Sequence, residues 1–554
     1  NKRFTYWSDE TIEVEAELNP STRTSASPSD TTVAIQMSHR GISTTRTRKL
    51  RMTKTDRHGQ WAGRYRLKAP SNSFGAYLIS ARVAGSGADA ASSQLAVEVL
   101  RNYKDLSKAI RMATVCELYP DRDPEVLADR LVDARINLAW LRNIFSFGQY
   151  NGPSKGRWQG EEGCQLSDIG RPVEVFASHL RKFIKACHDR GIKTIVYANL
   201  RNINENIYKQ VSEAGRLGPH EVDLDERRWP YPYAINFRAR AECRRWEKYL
   251  IDEIKQGMVD FGYDGYFFDN TSYANFGGSE ARMAKRILKA TKRALSDQFA
   301  IVNPGPPLSP GQWRNPRDVE ILRWPEVGCA LMEVEGDQMS GCETPEDIIR
   351  FGSMFRAADD TKTPILYIHD PTRRSPGAHL LRLGHSLAGK CNEDLCCGQS
   401  GHDGALFFET CPVSAALTRS VYSGLAECPE FIEPGPILAG VKVSGLKDVS
   451  VMAYDGLNAN GNSITVMIAN RDGWNKPLRN TGYYWDDDTP KIRSSSSIRL
   501  LIPVPSQRKI IGCWLLRPED CQPISWSLAP GKKSISIVLD EVTEFAAIVV
   551  RFAK

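Results

Sequence analysis

From about residue 108 to about residue 425 the chain repeats one phrase: an amphipathic helix, a short turn, then a brief apolar strand. The stretch from Glu174 to Arg190 carries Val175, Phe176, Leu180, Phe183, Ile184 and Cys187 at helical spacing, and Gly191 closes it. Thr194-Ile195-Val196-Tyr197-Ala198-Asn199 follows at once. The phrase returns with Trp246, Tyr249, Leu250, Ile254 and Met258 before Gly265–Asp269. It returns again with 281–296 before Phe299–Asn303, and with 345–358 before Pro364–His369. A helix between buried strands carries the chain back to start the next strand in the same direction, so the sheet is parallel. Strands starting near Met112, Ile136, Thr194, Gly265, Phe299, Cys329, Pro364 and Asp394 make eight such units. Eight units predict a (β/α)8 TIM barrel over residues 106–430 rather than an open doubly wound sheet. No GxGxxG or GxxxxGK[ST] segment marks a nucleotide site.

On either side the pattern changes to alternation. Ile12–Leu18, Thr32–Met37, Trp61–Leu67, Ala76–Val83 and Leu95–Leu100 have period 2, with turn-rich segments between. One face is then buried and the other wet, as in an antiparallel sandwich. Gly75-Ala76-Tyr77 entering a strand is similar to the late strands of immunoglobulin-like modules. Val449–Tyr454, Ile464–Ala469, Ile498–Ile502, Ser534–Leu539 and Ala546–Val550 repeat the alternation at the other end. The expected architecture is multidomain α/β. Residues 1–105 form an N-terminal immunoglobulin-like β-sandwich, 106–430 the barrel, and 431–554 a C-terminal β-sandwich.

Composition narrows the class. Over 554 residues, 41% are apolar and 25% charged, which is globular usage and excludes wholesale disorder or a disulfide scaffold. No window approaches the ~18 uninterrupted apolar residues of a membrane-spanning helix. The 73 Lys+Arg against 66 Asp+Glu leave +7, spread thinly, which argues against a dedicated nucleic-acid binder. The opening Asn1-Lys2-Arg3-Phe4 lacks Met and, with this architecture, gives an expectation of a secreted or periplasmic protein. Among 13 cysteines, Cys513 and Cys521 flank a Pro-Glu-Asp turn. They form either a disulfide or two separate buried thiols. The sequence leaves the oligomeric state open.

Working residues of such a barrel sit at the C-terminal ends of its strands. Those ends read Cys116-Glu117, Arg142-Asn143, Tyr197-Ala198-Asn199, Asp269-Asn270, Asn303, Glu333-Val334-Glu335 and His369-Asp370. The mouth is lined with carboxylates, amides and tyrosines, without clustered histidines for zinc. Neither a metal nor a cofactor is called for. Two acids among hydrogen-bonding groups are what sugar hydrolysis uses.

In Gly262-Tyr263-Asp264-Gly265-Tyr266-Phe267-Phe268-Asp269-Asn270, period 2 puts Gly265, Phe267 and Asp269 on one face. Asp269 then either caps the following turn or serves as nucleophile or charge stabiliser. Glu333 is the first polar residue after Cys329-Ala330-Leu331-Met332. A carboxyl leaving an apolar strand has its pKa raised, as a general acid requires. Glu335 shares its parity and is the alternative acid; either glutamate is otherwise a salt-bridged structural residue.

These segments resemble glycoside hydrolase family 66, the dextranases and cycloisomaltooligosaccharide glucanotransferases. The stretch Gly262–Asp269 is similar to that family's G-[FY]-D-G-x-x-x-D nucleophile strand, and Cys329–Val334 to its acid strand. Ala234-Ile235-Asn236-Phe237 through the Trp246–Ile251 helix also resembles it. The resemblance implies Asp269 as nucleophile and Glu333 as acid/base of a retaining mechanism on an α-glucan. Asn270-Thr271 after Asp269, and the lack of Trp after Glu333, depart from the family's pattern. A related retaining barrel family sharing the D-G-x-x-x-D element is the alternative.

Sugar sites need aromatic platforms. Trp229 and Tyr231 in the loop after the third strand, Tyr273 after Asp269, and Trp313 and Trp324 before Glu333 are candidates. Asn143, Tyr197, Asn199, Asn270, Asn303 and His369 are candidates for binding sugar hydroxyls. The expected partner is a carbohydrate. The expected activity is glycoside hydrolysis by double displacement. The alternatives are transglycosylation by the same pair, or a non-catalytic carbohydrate-binding protein with a degenerate barrel.

Overall fold

The computed structural model describes residues 3–18, 32–39, 42–43, 47–54, 61–71, 74–83, 92–115, 118, 122–147, 164–168, 171–175, 177–199, 202–203, 222–224, 233–235, 240–269, 271, 278–294, 298–304, 321–334, 345–359, 361–368, 376–395, 412–433, 435–445, 449–457, 462–471, 495–531 and 533–553. Its centre is one sheet of eight parallel strands in chain order: β1 (Met112–Val115), β2 (Leu138–Phe147), β3 (Lys193–Asn199), β4 (Gly265–Asp269), β5 (Phe299–Val302), β6 (Cys329–Val334), β7 (Ile365–Ile368) and β8 (Asn392–Glu393). A parallel bridge between Ala113 and Leu395 joins the last strand to the first. Helices α1 (Tyr103–Ala109), α2 (Pro124–Asp133), α3 (Ala177–Asp189), α4 (Arg240–Phe261), α5 (Gly278–Ala294), α6 (Pro345–Ala358), α7 (Pro376–Ala388) and α8 (Pro412–Glu427) belong to the same part of the chain.

Alternation along each strand divides the core in two. Inward residues Met112, Leu138, Trp140, Ile195, Tyr197, Phe267, Phe299, Ile301, Cys329, Leu331 and Ile365 form one cluster. Outward residues such as Val196, Tyr266, Phe268, Val302 and Ala330 pack with the helices in another. Helix α1 adds Leu106 and Ala109, and the residue after it Ile110, to the inner cluster and so plugs the barrel's base. Its own N-terminus is capped by Asn102, whose side chain accepts from the Lys104 and Asp105 amides.

The helix expected from Glu174 starts later. Arg171–Val175 is a strand that pairs antiparallel with Cys164–Asp168, and α3 begins at Ala177. β-branched Val173 and Val175 alternate with polar neighbours there, so period 2 wins over the helical reading. Gly191 ends α3 at φ +79°, with the Ile192 amide donating back to Cys187 O at 2.9 Å.

N-terminal to the barrel, one sheet holds Thr5–Trp7, Ser92–Leu100, Gly75–Val83, Thr32–His39 and Ile42–Ser43, with Arg48–Arg51 beside Thr32–His39. A second holds Thr11–Leu18, Trp61–Lys68 and Thr53–Lys54. Both contribute to one cluster that includes Ile12, Val14, Val33, Ile35, Leu67, Tyr77, Val97 and Val99. This unit is fastened to the barrel's base. Arg111 forms a bidentate pair with Glu98 at 2.6 and 2.9 Å, with both side chains fully buried. Thr5 donates to the same carboxylate at 3.0 Å.

After the barrel, two further sheets share a cluster built from Ile464, Val466, Ile468, Ile498, Leu500, Ile535, Ile537, Ile548 and Val550. Cys513 lies inside that cluster, whereas Cys521 packs against the barrel-side core. The two thiols thus stand on opposite sides of the sheet, and both are free, which removes the Cys513–Cys521 disulfide. Among the described residues, no helix is long and apolar enough to cross a membrane.

Candidate active site

The segment Tyr263–Asp269 shows how the chain builds the mouth. The Tyr263 hydroxyl donates to Ile254 O at 2.9 Å and pins α4 to the strand's entry. Asp264 sits at the barrel's base, where His188 Nε2 (2.8 Å), Lys193 Nζ (2.7 Å) and the Thr194 amide (2.9 Å) donate to it. Burial pushes the Asp264 carboxyl up, but the hydrogen bonds and charges of His188 and Lys193 outweigh this and hold it below the usual carboxylate value. At Gly265 any Cβ would lie 1.9 Å from Phe299 O, so the close approach of β4 to β5 demands glycine. Phe267 fills the interior, 4.3 Å centroid to centroid from Trp140. Asp269, half-buried, ends the strand at the mouth.

Both oxygens of Asp269 are held. The Tyr197 hydroxyl donates to Oδ2. The Asn303 amide Nδ2 donates to Oδ1 at 2.9 Å. Tyr197 is itself stacked on Trp140 at 18° and 6.3 Å between centroids, so an aromatic floor supports the donor. Asn303 is clamped from behind: Thr271 donates to its carbonyl through N (3.1 Å) and Oγ1 (2.5 Å), and its own amide donates to Phe268 O at 2.8 Å. The sequence offers Tyr197 and Asn303 as sugar ligands; in the structure those polar groups bond to Asp269. The Asp269 side chain therefore accepts at once from β3 and from the residue that follows β5. Hydrogen bonds to a carboxylate favour its ionised form and fix its orientation.

The other expected residues fall as follows. Glu333 is in β6, its Cα paired with Tyr367 of β7. Strand parity puts position 333 on the face shared by Cys329 and Leu331, one inward position farther out than the level of Asp269. Only β5 separates β4 from β6, so the two strand ends are about 10 Å apart between axes. Asn199 pairs in register with Asp269. Asn143 falls in β2 where the register with β3 shifts between Leu141 and Ser146. The side chains of Glu333, Asn199 and Asn143 lie outside the described ones, as do residues Glu335, Trp229, Tyr231, Asn270, Tyr273, Trp313 and His369 altogether. Trp324 is not a platform: it is buried in the helical layer with Lys285 Nζ over its ring at 5.0 Å.

Sequence reasoning missed Thr271, Trp140 and a further carboxyl inside the barrel. Asp394, fully buried, accepts from Thr114 Oγ1 across the β8–β1 seam. Inward parity of Trp140 and Asp394 could have pointed to both; nothing local marks Thr271.

A hydrogen-bonded carboxylate at the end of the fourth strand stands where barrel enzymes carry their working residues, and carboxylates are the groups glycosidases use. The model of Glycosyl hydrolase family 66 matches residues 3–303, more than half the chain, and the chain belongs to that family. It is a glycosidase, and the degenerate-barrel alternative gives way. No curated protein matches the chain in sequence. Among solved structures, a cycloisomaltooligosaccharide glucanotransferase from Paenibacillus sp., complexed with cycloisomaltoheptaose, is 11% identical at TM-score 0.67. The match covers 99% of this chain and 98% of that one. An alpha-amylase from Geobacillus thermoleovorans, complexed with acarbose, is 13% identical at TM-score 0.50, over 82% of this chain and 100% of that one. At such identities the likeness is one of fold.

Proposed function

We propose that this enzyme cleaves or transfers α-glucan chains by retaining double displacement, with Asp269 as nucleophile and Glu333 as acid/base. The observation that carries the reading is Asp269 at the barrel mouth with both carboxylate oxygens fixed by Tyr197 and Asn303. Two donors on different strands hold such a carboxylate in one orientation at the mouth. Asp269 attacks the anomeric carbon as Glu333 protonates the departing glycosidic oxygen, and a glycosyl ester forms on Asp269. Glu333 then takes a proton from water or from a sugar hydroxyl, which attacks the same carbon and frees Asp269. A retaining pair needs its carboxyl groups about 5–5.5 Å apart. Tyr197 and Asn303 are positioning residues in this scheme.

Family membership, and the cycloisomaltoheptaose and acarbose bound in the similar structures, favour an α-glucan. Two such glucan-active folds differ in outcome, so hydrolysis and transglycosylation by the same pair both remain within the proposal. We read 1–105 as an immunoglobulin-like sandwich, 106–430 as the catalytic barrel and 431–554 as a second sandwich. A secreted or periplasmic location suits a polymeric substrate.

The test is product analysis on dextran, isomaltooligosaccharides and starch with wild type, Asp269→Asn, Glu333→Gln and Glu335→Gln. Loss of ~10³-fold or more in kcat, about 4 kcal/mol, is expected for Asp269→Asn and Glu333→Gln only. The first product seen by proton NMR should keep the anomeric configuration of the substrate. An inverted product overturns double displacement, and an active Glu333→Gln moves the acid to Glu335.

A further inference from the structure

Cys428 and Cys521 are 93 residues apart in sequence, yet their sulfurs lie 3.9 Å from one another. Cys428 follows α8 and caps the short turn Pro429–Phe431. Cys521 opens the strand Cys521–Pro523, which pairs with Ile510–Leu516 at the edge of a C-terminal sheet. Both are free thiols; Cys428 is buried and Cys521 is partly exposed. Gly424 lets them meet, because a Cβ there would stand 3.0 Å from Cys521 Cβ and 2.4 Å from Leu516 Cδ1. The surroundings are rigid. Arg551 donates to Cys428 Sγ at 3.1 Å while paired with Glu430 at 2.8 Å and stacked on Trp514 at 4.1 Å.

A disulfide has its sulfurs about 2 Å apart. Rotation of either cysteine about χ1, its Cα–Cβ bond, moves the sulfur by more than that difference. We propose that Cys428 and Cys521 are a disulfide-forming pair that ties the end of the barrel's last helix to the edge of the C-terminal sheet.

The oxidant is a small disulfide such as oxidised glutathione. Cys521, the more exposed, attacks one of its sulfurs as thiolate; a mixed disulfide forms and one glutathione thiol leaves. Cys428 then loses its proton to solvent and attacks Cys521 Sγ, and the second glutathione thiol leaves. Two cysteine thiols are oxidised and one glutathione disulfide is reduced to two thiols. The Arg551 guanidinium stabilises the Cys428 thiolate during the second step.

The experiment takes the reduced full chain, exposes it to millimolar oxidised glutathione, alkylates remaining thiols in denaturant, and maps the peptides. The expected result is a peptide pair joined through Cys428 and Cys521. Oxidised wild type should also unfold ~5 °C or more above reduced wild type, because the link closes a long loop. In Cys521→Ser that redox difference should vanish and Cys428 should be alkylated. Recovery of Cys428 and Cys521 as alkylated thiols or lasting glutathione adducts in oxidised wild type overturns the proposal, as does a bond from either to another cysteine. The wild-type map decides the matter even if Cys521→Ser fails to fold.

Discussion

Tyr197 and Asp269 stand on neighbouring strands two residues out of register. The ladder pairs Tyr197 with Phe267 and Asn199 with Asp269, yet the Tyr197 hydroxyl reaches forward to Asp269 Oδ2. A ring stacked on Trp140 is long and stiff enough to span that diagonal. The proposed nucleophile is thus steadied by a phenol rooted one layer deeper in the barrel.

Tyr197→Phe keeps the ring and deletes the donor. We expect kcat to fall about 10–100-fold with KM little changed. A variant whose KM rises while kcat holds would show that the phenol acts on binding and does not position Asp269.

Thr271→Val tests the second support at one remove. It deletes the Oγ1 donor to Asn303 O and leaves the backbone donor in place. A drop of about 3–10-fold in kcat is expected, against a larger one for Asn303→Ala, which removes the contact to Asp269 itself. Equal effects from both variants would contradict this ordering.

Asp264 links the barrel's base to pH. Its carboxyl lies below the usual value in the folded chain, so its contribution is complete above the unfolded value of about 4 and fades as pH falls through that region. Asp264→Asn should cost about 2–3 kcal/mol at neutral pH, measured by urea unfolding. The deficit relative to wild type should shrink below about pH 4; a gap that stays constant down to pH 3 would remove the electrostatic explanation.

Gly191→Ala combines a left-handed backbone with a collision. A Cβ there would lie 1.8 Å from Thr5 O, and the Gly191 carbonyl accepts from Trp7 Nε1 at 3.3 Å. We expect a loss of about 3 kcal/mol or more in stability, with protease cutting the chain near its N-terminal strand first. An unchanged Tm would mean that the N-terminal segment does not dock there.

Much of this architecture could be read ahead of the coordinates. Strands such as Gly265–Asp269 and Phe299–Val302 are apolar on both faces, and that continuity identifies a strand buried in a parallel barrel. The eighth strand, expected near Asp394, lies at Asn392–Glu393, and its composition explains the offset. Asn392 turns inward to Ile110 O at 2.7 Å, while Glu393 turns outward to Arg382 at 3.1 Å and Ser386 at 2.8 Å. Polar residues on both faces, each satisfied by a buried partner, leave no apolar periodicity to read. The site was half legible for a similar reason. Asp269 announces itself by parity, whereas its link to Tyr197 depends on a diagonal across two strands and that to Asn303 on a clamp from Thr271. Neither is a property of local sequence.

The buried Glu98–Arg111 pair bears on how this enzyme can be trimmed. Glu98 belongs to a strand of the N-terminal sheets and Arg111 immediately precedes the barrel's first strand. A fragment that begins just upstream of that first strand would keep the arginine and lose its carboxylate, along with the α1 residues that stopper the barrel. A buried guanidinium left without its carboxylate costs several kcal/mol, comparable with the whole stability of many domains. The shortest functional version of this chain therefore includes its first hundred residues.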